Sequence, residues 1–265
     1  MIVTIGHEGE GDAMALLEVR DIGVRFGGVI ALDGLTFDIN EASICALIGP
    51  NGAGKTTLFN VVSRLYEADT GTISFNGRSL LAIPPHGIAA AGIARTFQNL
   101  ALVEGLTVLD NVVLGAYSAT RGGFLMGALG VPNASQRKAM VAAREILGDL
   151  GLAEFADRPC RGLPYGTLKR IELARALMSA PKLLMLDEPA SGLTHGEVDQ
   201  LGETIRQIRD RYQLTILLVE HHMAMVMSIS DDVVVMEFGR KIAEGTPAEI
   251  RANPRVIEAY LGGAA

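Results

Sequence analysis

Residues 49–56 read Gly-Pro-Asn-Gly-Ala-Gly-Lys-Thr, and what flanks them restricts the fold more than any other stretch of this chain. Upstream, Ser43 to Ile48 is an apolar run that reads as a buried strand; downstream, Thr56 to Arg64 reads as the start of a helix. The octapeptide fits G-x-x-x-x-G-K-[ST] in its required strand, loop and helix context. Glycines let backbone N–H groups close around a phosphate, and the helix N-terminus adds the positive end of its dipole. In such a loop Lys55 reaches the β- and γ-phosphate oxygens, and the Thr56 hydroxyl ligates Mg²⁺.

Composition narrows the class. With 265 residues, 49% of them apolar, the chain suits one large domain or a domain carrying an inserted subdomain. A net charge of -7 argues against a broad basic nucleic-acid footprint. Cys45 and Cys160 form no framework and no CxxC pair, and Cys45 reads as a small core residue beside the loop. No apolar stretch approaches the roughly 20 residues of a membrane span; Gly122 to Pro132 is far too short. Met1 to Asp12 lacks the features of a signal peptide, and residues 1–13 are expected to form a flexible extension, or to follow an upstream start codon ahead of Met14.

Pattern divides the remainder. Leu16 to Phe26 and Gly34 to Ile39 alternate like antiparallel strands, and Thr72 to Phe75 enters a tight turn at Asn76-Gly77. From Thr107 to about Gly151 the period becomes helical: Leu109, Val112, Val113 and Ala116 mark one helix, and Ala139, Ala143, Ile146, Leu147 and Leu150 another. A loop rich in Gly and Pro, Ser118 to Ser135, separates them. Helix and strand then alternate: Lys169 to Met178, Leu183 to Leu186, Glu197 to Tyr212, Thr215 to Val219, and Val233 to Met236. Such alternation is the α/β pattern with a largely parallel sheet, here interrupted by a helical insert.

Leu183 to Leu186 leads into Asp187 and Glu188. In combination with the phosphate loop, Asp187 is expected beside the Mg²⁺ shell, and Glu188 faces the γ-phosphate, where it can polarise water.

Residues 163–177, LPYGTLKRIELARAL, resemble the signature region of ABC transporter ATPases, whose usual core is L-S-G-G-Q followed by a helix ending in A-R-A-L. Thr96-Phe97-Gln98-Asn99 resembles the Q-loop, Ser191-Gly192-Leu193-Thr194 the D-loop, and Val219-Glu220-His221 the H-loop. The resemblance runs from about Leu16 to Gly262. Within the family the chain looks most like ATPase subunits of bacterial importers for branched-chain amino acids and related small polar solutes. Arg25-Phe26-Gly27-Gly28, the long insert, Leu163-Pro164-Tyr165-Gly166 and the tail Val256 to Gly262 carry that likeness.

The resemblance implies a P-loop NTPase (RecA-like) α/β core with an N-terminal antiparallel β subdomain, residues 14–95 and 168–265, and a helical signature subdomain, residues 96–167. It implies ATP and Mg²⁺ held by Gly49, Pro50, Asn51, Gly52, Ala53, Gly54, Lys55, Thr56 and Thr57. Phe26 would stack on adenine, and Tyr165 and Gly166 would contact ATP held by the opposing subunit. Thr56, Gln98 and Asp187 would surround the metal; Glu188, His221 and Gln98 would serve hydrolysis. Gln98 also lies where the insert joins the core, suited to pull one subdomain toward the other. His86 and His195 lack metal-ligand spacing. His222 follows His221 directly, and adjacent side chains are expected to point apart, so His221 is taken as the phosphate contact.

Three positions depart from the family pattern. Pro164 stands where Ser is usual and offers neither hydroxyl nor N–H, Thr167 replaces Gln, and Thr194 sits where Asp is common. The signature contact then rests on Gly166 and the first amides of the following helix. The implied partners are membrane permease subunits, a second copy or a different ATPase subunit, and indirectly an extracytoplasmic binding protein, with no nucleic acid. The implied location is the cytoplasmic face of the inner membrane, peripheral through the permeases. An exporter ATPase, a soluble non-transport ABC ATPase and a P-loop kinase are the competing readings. The soluble class usually shows tandem domains, coiled coil or a basic surface, which this chain lacks; a kinase leaves residues 163–177 unexplained.

Overall fold

The computed structural model describes residues 15–96, 100–117 and 134–261. The extension 1–13, Gln98 and nearly all of the Gly/Pro-rich loop lie outside these residues. Two sheets organise the rest. Strands β1 (Ala15–Phe26), β2 (Val29–Asn40), β4 (Thr70–Phe75) and β5 (Arg78–Ser79) form an antiparallel sheet in the order β2-β1-β4-β5. Asn76-Gly77 makes the predicted tight turn between β4 and β5.

The second sheet holds β3 (Ile44–Ile48), β6 (Ile93–Arg95), β7 (Leu183–Asp187), β8 (Thr215–Val219), β9 (Asp232–Glu237) and β10 (Arg240–Gly245). Its order is β10-β9-β3-β8-β7-β6. All its pairs are parallel except the β9–β10 hairpin at the edge. The short β6 and the edge strand β10 are absent from the sequence reading, because three residues, or a charged half-exposed run, give no clear period.

The fully buried strands show how one sheet serves two cores. Along β7, Leu184 and Leu186 enter one cluster while Leu183 and Met185 enter another. Along β8, Ile216 and Leu218 part from Leu217 and Val219 in the same way. Successive side chains leave a strand on opposite faces, so a run of continuous apolar residues belongs where both faces are covered. One face packs on helix α1 (Lys55–Val62), through Leu58, Phe59, Val61 and Val62, and on β1, β2 and β4.

The other face meets the helices. They are α3 (Val108–Tyr117), α4 (Ala134–Asp149), α5 (Tyr165–Leu177), α6 (His195–Tyr212) and α7 (Met223–Ile229); α2 (Ile88–Ala91) is a single turn. Of the residues picked by helical period, Leu109, Val112, Val113, Ala143, Ile146, Leu147 and Leu150 are buried together there, while Ala116 and Ala139 are only partly buried. A third cluster joins Ala46 and Ile48 of β3 to Ile250 of α8 (Pro247–Ala252) and Val256 of α9 (Pro254–Leu261). Helix α5 begins at Tyr165, four residues ahead of the expected Lys169, because Pro164 takes the N-cap position, where a missing N–H costs nothing. No helix among the described residues is long and apolar enough to cross a membrane.

Candidate active site

The sheet order places three loops side by side. The chain leaves the C-terminal ends of β3, β8 and β7 through residues 49–54, 220–222 and 188–194, and these strands are neighbours. Ligands of open parallel sheets bind outside these carboxyl ends.

The glycine-rich loop turns tightly between β3 and α1. A Cβ at Gly49 (φ +153) would lie 2.1 Å from the Met236 carbonyl oxygen, and one at Gly54 (φ +101) 2.5 Å from that of Ala31. Only glycine fits either place. Gly54 caps α1, so the first amides of that helix face the loop. Lys55 folds its ammonium over the loop, donating to the Gly49 carbonyl at 2.6 Å and the Pro50 carbonyl at 3.0 Å. Partial burial pulls its pKa below the ordinary lysine range, against the opposing pull of the Glu188 and Asp187 carboxylates.

Thr56 is exposed at the start of α1, and Asp187 ends β7 almost buried. A hydroxyl and a carboxylate are the hard oxygen donors that Mg²⁺ prefers, and the convergent Lys55 supplies the remaining charge that a polyphosphate needs. The donor set fits the predicted nucleotide and metal.

Asp187 has a partner that sequence reasoning missed. Arg95, at the end of β6, donates to Asp187 Oδ2 at 2.7 Å, and each side chain is only 10% exposed. The same guanidinium donates to Asn60 Oδ1 at 2.7 Å and lies 5.3 Å from the Phe59 ring centroid. It ties β6, β7 and α1 together directly beneath the loop. Nothing in the short run Ile93–Arg95 marks that partner in the sequence.

Glu188 adopts a left-handed backbone (φ 47), uncommon for a residue with a side chain. Its N–H donates to the Val219 carbonyl at 2.9 Å, continuing the β7–β8 ladder by one residue. Across that ladder Glu220 is buried; its carboxylate accepts from Ala190 N–H at 2.7 Å, His221 N–H at 2.9 Å and His222 N–H at 3.1 Å.

His221 and His222 do not diverge as expected. Their rings stack with centroids 4.9 Å apart and planes 30° from parallel. The strand ends at Val219, so the alternation of side chains no longer applies, and His222 already occupies the N-cap of α7. The His221 side chain is the more open, at 60% exposure. Glu220, His221 and His222 form a cluster of metal-ligand types, but the three backbone donors already claim the Glu220 carboxylate.

Phe26 is 46% exposed where β1 turns into β2, as a stacking platform requires. It meets Tyr66 edge-on, centroids 5.2 Å apart, a neighbour the sequence did not reveal. Pro164, Tyr165 and Gly166 open α5, Tyr165 is 41% exposed, and Thr167 is buried. They lie against the start of α6, and a Cβ on Gly166 would sit 2.9 Å from Glu197 Oε1. Thr194 is the N-cap of α6 and forms a capping box with Glu197. Its departure from the family pattern is filled by that capping role. The signature segment opens a different helix from the glycine-rich loop, one that packs on the helical side of the sheet.

Comparison with known proteins agrees with this arrangement. Residues 32–191 match a family described as ABC transporter, and residues 240–265 one described as branched-chain amino acid ATP-binding cassette transporter. The high-affinity branched-chain amino acid transport ATP-binding protein BraF of Pseudomonas aeruginosa is 43% identical over 249 residues, covering 93% of this chain and 98% of that protein. The corresponding LivG of Escherichia coli is 41% identical with the same coverage. Among solved structures, the ADP conformation of MJ1267, an ATP-binding cassette of an ABC transporter, aligns with a TM-score of 0.83 at 31% identity, over 94% of this chain and 99% of that one. A nucleotide-free cassette from an ABC transporter aligns at 0.81 and 30% identity, over 93% and 99%.

Proposed function

The chain belongs to the ABC transporter ATPases, and from that premise we propose that it powers an importer of branched-chain amino acids or a related small polar solute. The solute class rests on relatives bearing that name along nearly the whole chain, and on the matching C-terminal segment. ATP is the substrate and its hydrolysis the reaction.

We assign the roles as follows. Backbone N–H groups of residues 49–57 other than Pro50 and the Lys55 ammonium bind the phosphates, and Phe26 stacks on the base. Thr56 and Asp187, with Gln98, hold Mg²⁺, which when bound neutralises charge between the phosphates. Glu188 accepts a proton from the water that attacks the γ-phosphorus, and His221 holds the γ-phosphate oxygens. The observation that carries this reading is the adjacency of β3, β8 and β7. It brings Lys55, His221 and Glu188 to one edge of the sheet from three distant parts of the sequence.

Tyr165 and Gly166 complete the site of a second cassette, either another copy or a different ATPase subunit. Closure of the pair excludes water and assembles both sites. The helical subdomain, residues 96–167, docks permease subunits at the cytoplasmic face of the inner membrane, and a binding protein delivers solute from outside.

Glu188→Gln tests the assignment. It preserves shape and hydrogen bonding but removes the base, so ATP affinity should hold while turnover falls by about 10²- to 10⁴-fold. Hydrolysis at the wild-type rate removes Glu188 from catalysis. Uptake of labelled leucine by the reconstituted transporter, with isoleucine, valine and unrelated solutes as competitors, tests the solute class.

A further inference from the structure

Glu220 has no place in the chemistry assigned above, yet it is a carboxylate with a fully buried side chain one residue from His221. An ion pair explains it poorly: among the described residues His221 Nδ1 lies 4.0 Å from Oε2, and the His222 ring stands beside it. What the carboxylate does hold is backbone. Oε1 takes the Ala190 amide, and Oε2 takes the His221 and His222 amides. One side chain therefore grips two loops, the turn after β7 and the turn after β8.

The turn after β7 needs such a grip. Glu188 sits at φ 47, a left-handed conformation that costs free energy for a residue with a Cβ. Such conformations persist where the surroundings over-determine them. Here the Glu188 amide is fixed by Val219, the Ser191 amide closes on the Glu188 carbonyl at 3.1 Å, and the Ala190 amide is fixed by Glu220. On the other loop, both histidine amides point at one carboxylate oxygen, which turns the chain out of β8 and sets the two rings side by side.

We propose that Glu220 is a positioning residue, whose buried carboxylate sets Glu188 and His221 at the spacing the hydrolytic step requires. The proposal rests on the roles given to Glu188 and His221 above. The Glu220 side chain is fully buried and its carboxylate is taken up by backbone. It acts through the three amides, and a carboxylate is suited to the task because both its oxygens accept and neither donates. An amide in its place would present a donor to one of the N–H groups and leave that pair unmade.

The test uses the full-length chain in four variants: Glu220→Gln, Glu220→Asp, Glu188→Gln and the double Glu188→Gln/Glu220→Gln. The readouts are affinity for MANT-ATP, kcat at saturating ATP, and hydrogen exchange at the amides of residues 190, 221 and 222. For Glu220→Gln, kcat should fall by about 10- to 100-fold, the scale of a misplaced catalytic group. MANT-ATP affinity should stay within about threefold, since the phosphate loop is elsewhere, and the three amides should exchange faster. Glu220→Asp keeps both acceptors but retreats by one methylene, so its kcat should lie between the two. The double variant should lose less than the product of the two single losses, because one of the two groups that Glu220 positions is already gone. Wild-type kcat in Glu220→Gln overturns the proposal, as does a fall in affinity parallel to kcat. Failure of both Glu220 variants to fold also overturns it, since the residue then serves the fold and not the step. If Glu188→Gln itself hydrolyses normally, the underlying assignment has failed, and the two failures are told apart.

Discussion

Arg95 and Asp187 show how much a single buried pair can bear. Each charge has left water, and the cost is met only by the other and by the hydrogen bonds around it. Removing one partner strands the other in a poorly solvated place. Arg95→Met should therefore destabilise the chain by about 3–5 kcal/mol, read from denaturant unfolding without nucleotide. Adding Asp187→Asn should return part of that loss, because the orphaned charge is gone. Arg95→Met unfolding at the wild-type midpoint would mean that the guanidinium contributes no net stability. Sequence reading found Asp187 because a strand ending in two carboxylates is a recognisable pattern. It missed Arg95 because its partner is 92 positions away, and only strand pairing of β6 with β7 brings them together.

At the scale of elements, the starts of α5 and α6 are one unit. Pro164 caps α5 and Thr194 caps α6, and a Cβ at Gly166 would run into Glu197, the residue that completes the α6 capping box. The hydrogen bonds from Thr194 hold the Glu197 carboxyl below the usual carboxylate range, so it stays charged at neutral pH. Gly166→Asp would place a Cβ 2.9 Å from Glu197 Oε1 and a second negative charge beside it. MANT-ATP binding by the single chain should survive, since the phosphate loop lies on other elements. ATP-driven pairing and turnover of the assembled transporter should be lost. Pro164→Ser should be mild, as serine caps helices well and adds a hydroxyl. Normal transport by Gly166→Asp would show that this segment does not complete a site in a partner cassette.

The whole molecule splits its work between two sides of one parallel sheet. The glycine-rich loop and α1 pack on the face shared with the antiparallel sheet, while the signature helix belongs to the opposite, helical face. A single chain built this way holds the phosphate loop and the signature on different elements, and the proposed pairing of two cassettes would supply the second half of each site. Glu188→Gln is expected to bind ATP without consuming it and so to accumulate the paired form. Size-exclusion chromatography should then give a doubled mass with ATP and Mg²⁺, and the single mass with ADP or after chelation of the metal. A single mass under all conditions would count against ATP-driven pairing of identical chains and favour a different ATPase subunit as partner.

Much of this was local in the sequence, and so legible there. The phosphate loop, the β7 strand with its carboxylates, the Asn76-Gly77 turn and the helical periods of α3 and α4 each depend on neighbours a few residues apart. Their chemistry is fixed by residue type and spacing. The tertiary structure decided what needs distant strands to meet. It put β6 beside β7, and so Arg95 on Asp187. It put the end of β8 beside the turn after β7, and so the Glu220 carboxylate on the amides of both Ala190 and His221. It stacked His221 on His222, because the chain had already left the strand whose alternation would have parted them. Hydrogen-bonded pairing between remote segments carries no mark in either segment alone, and the groups that hold an active site in place depend on that pairing.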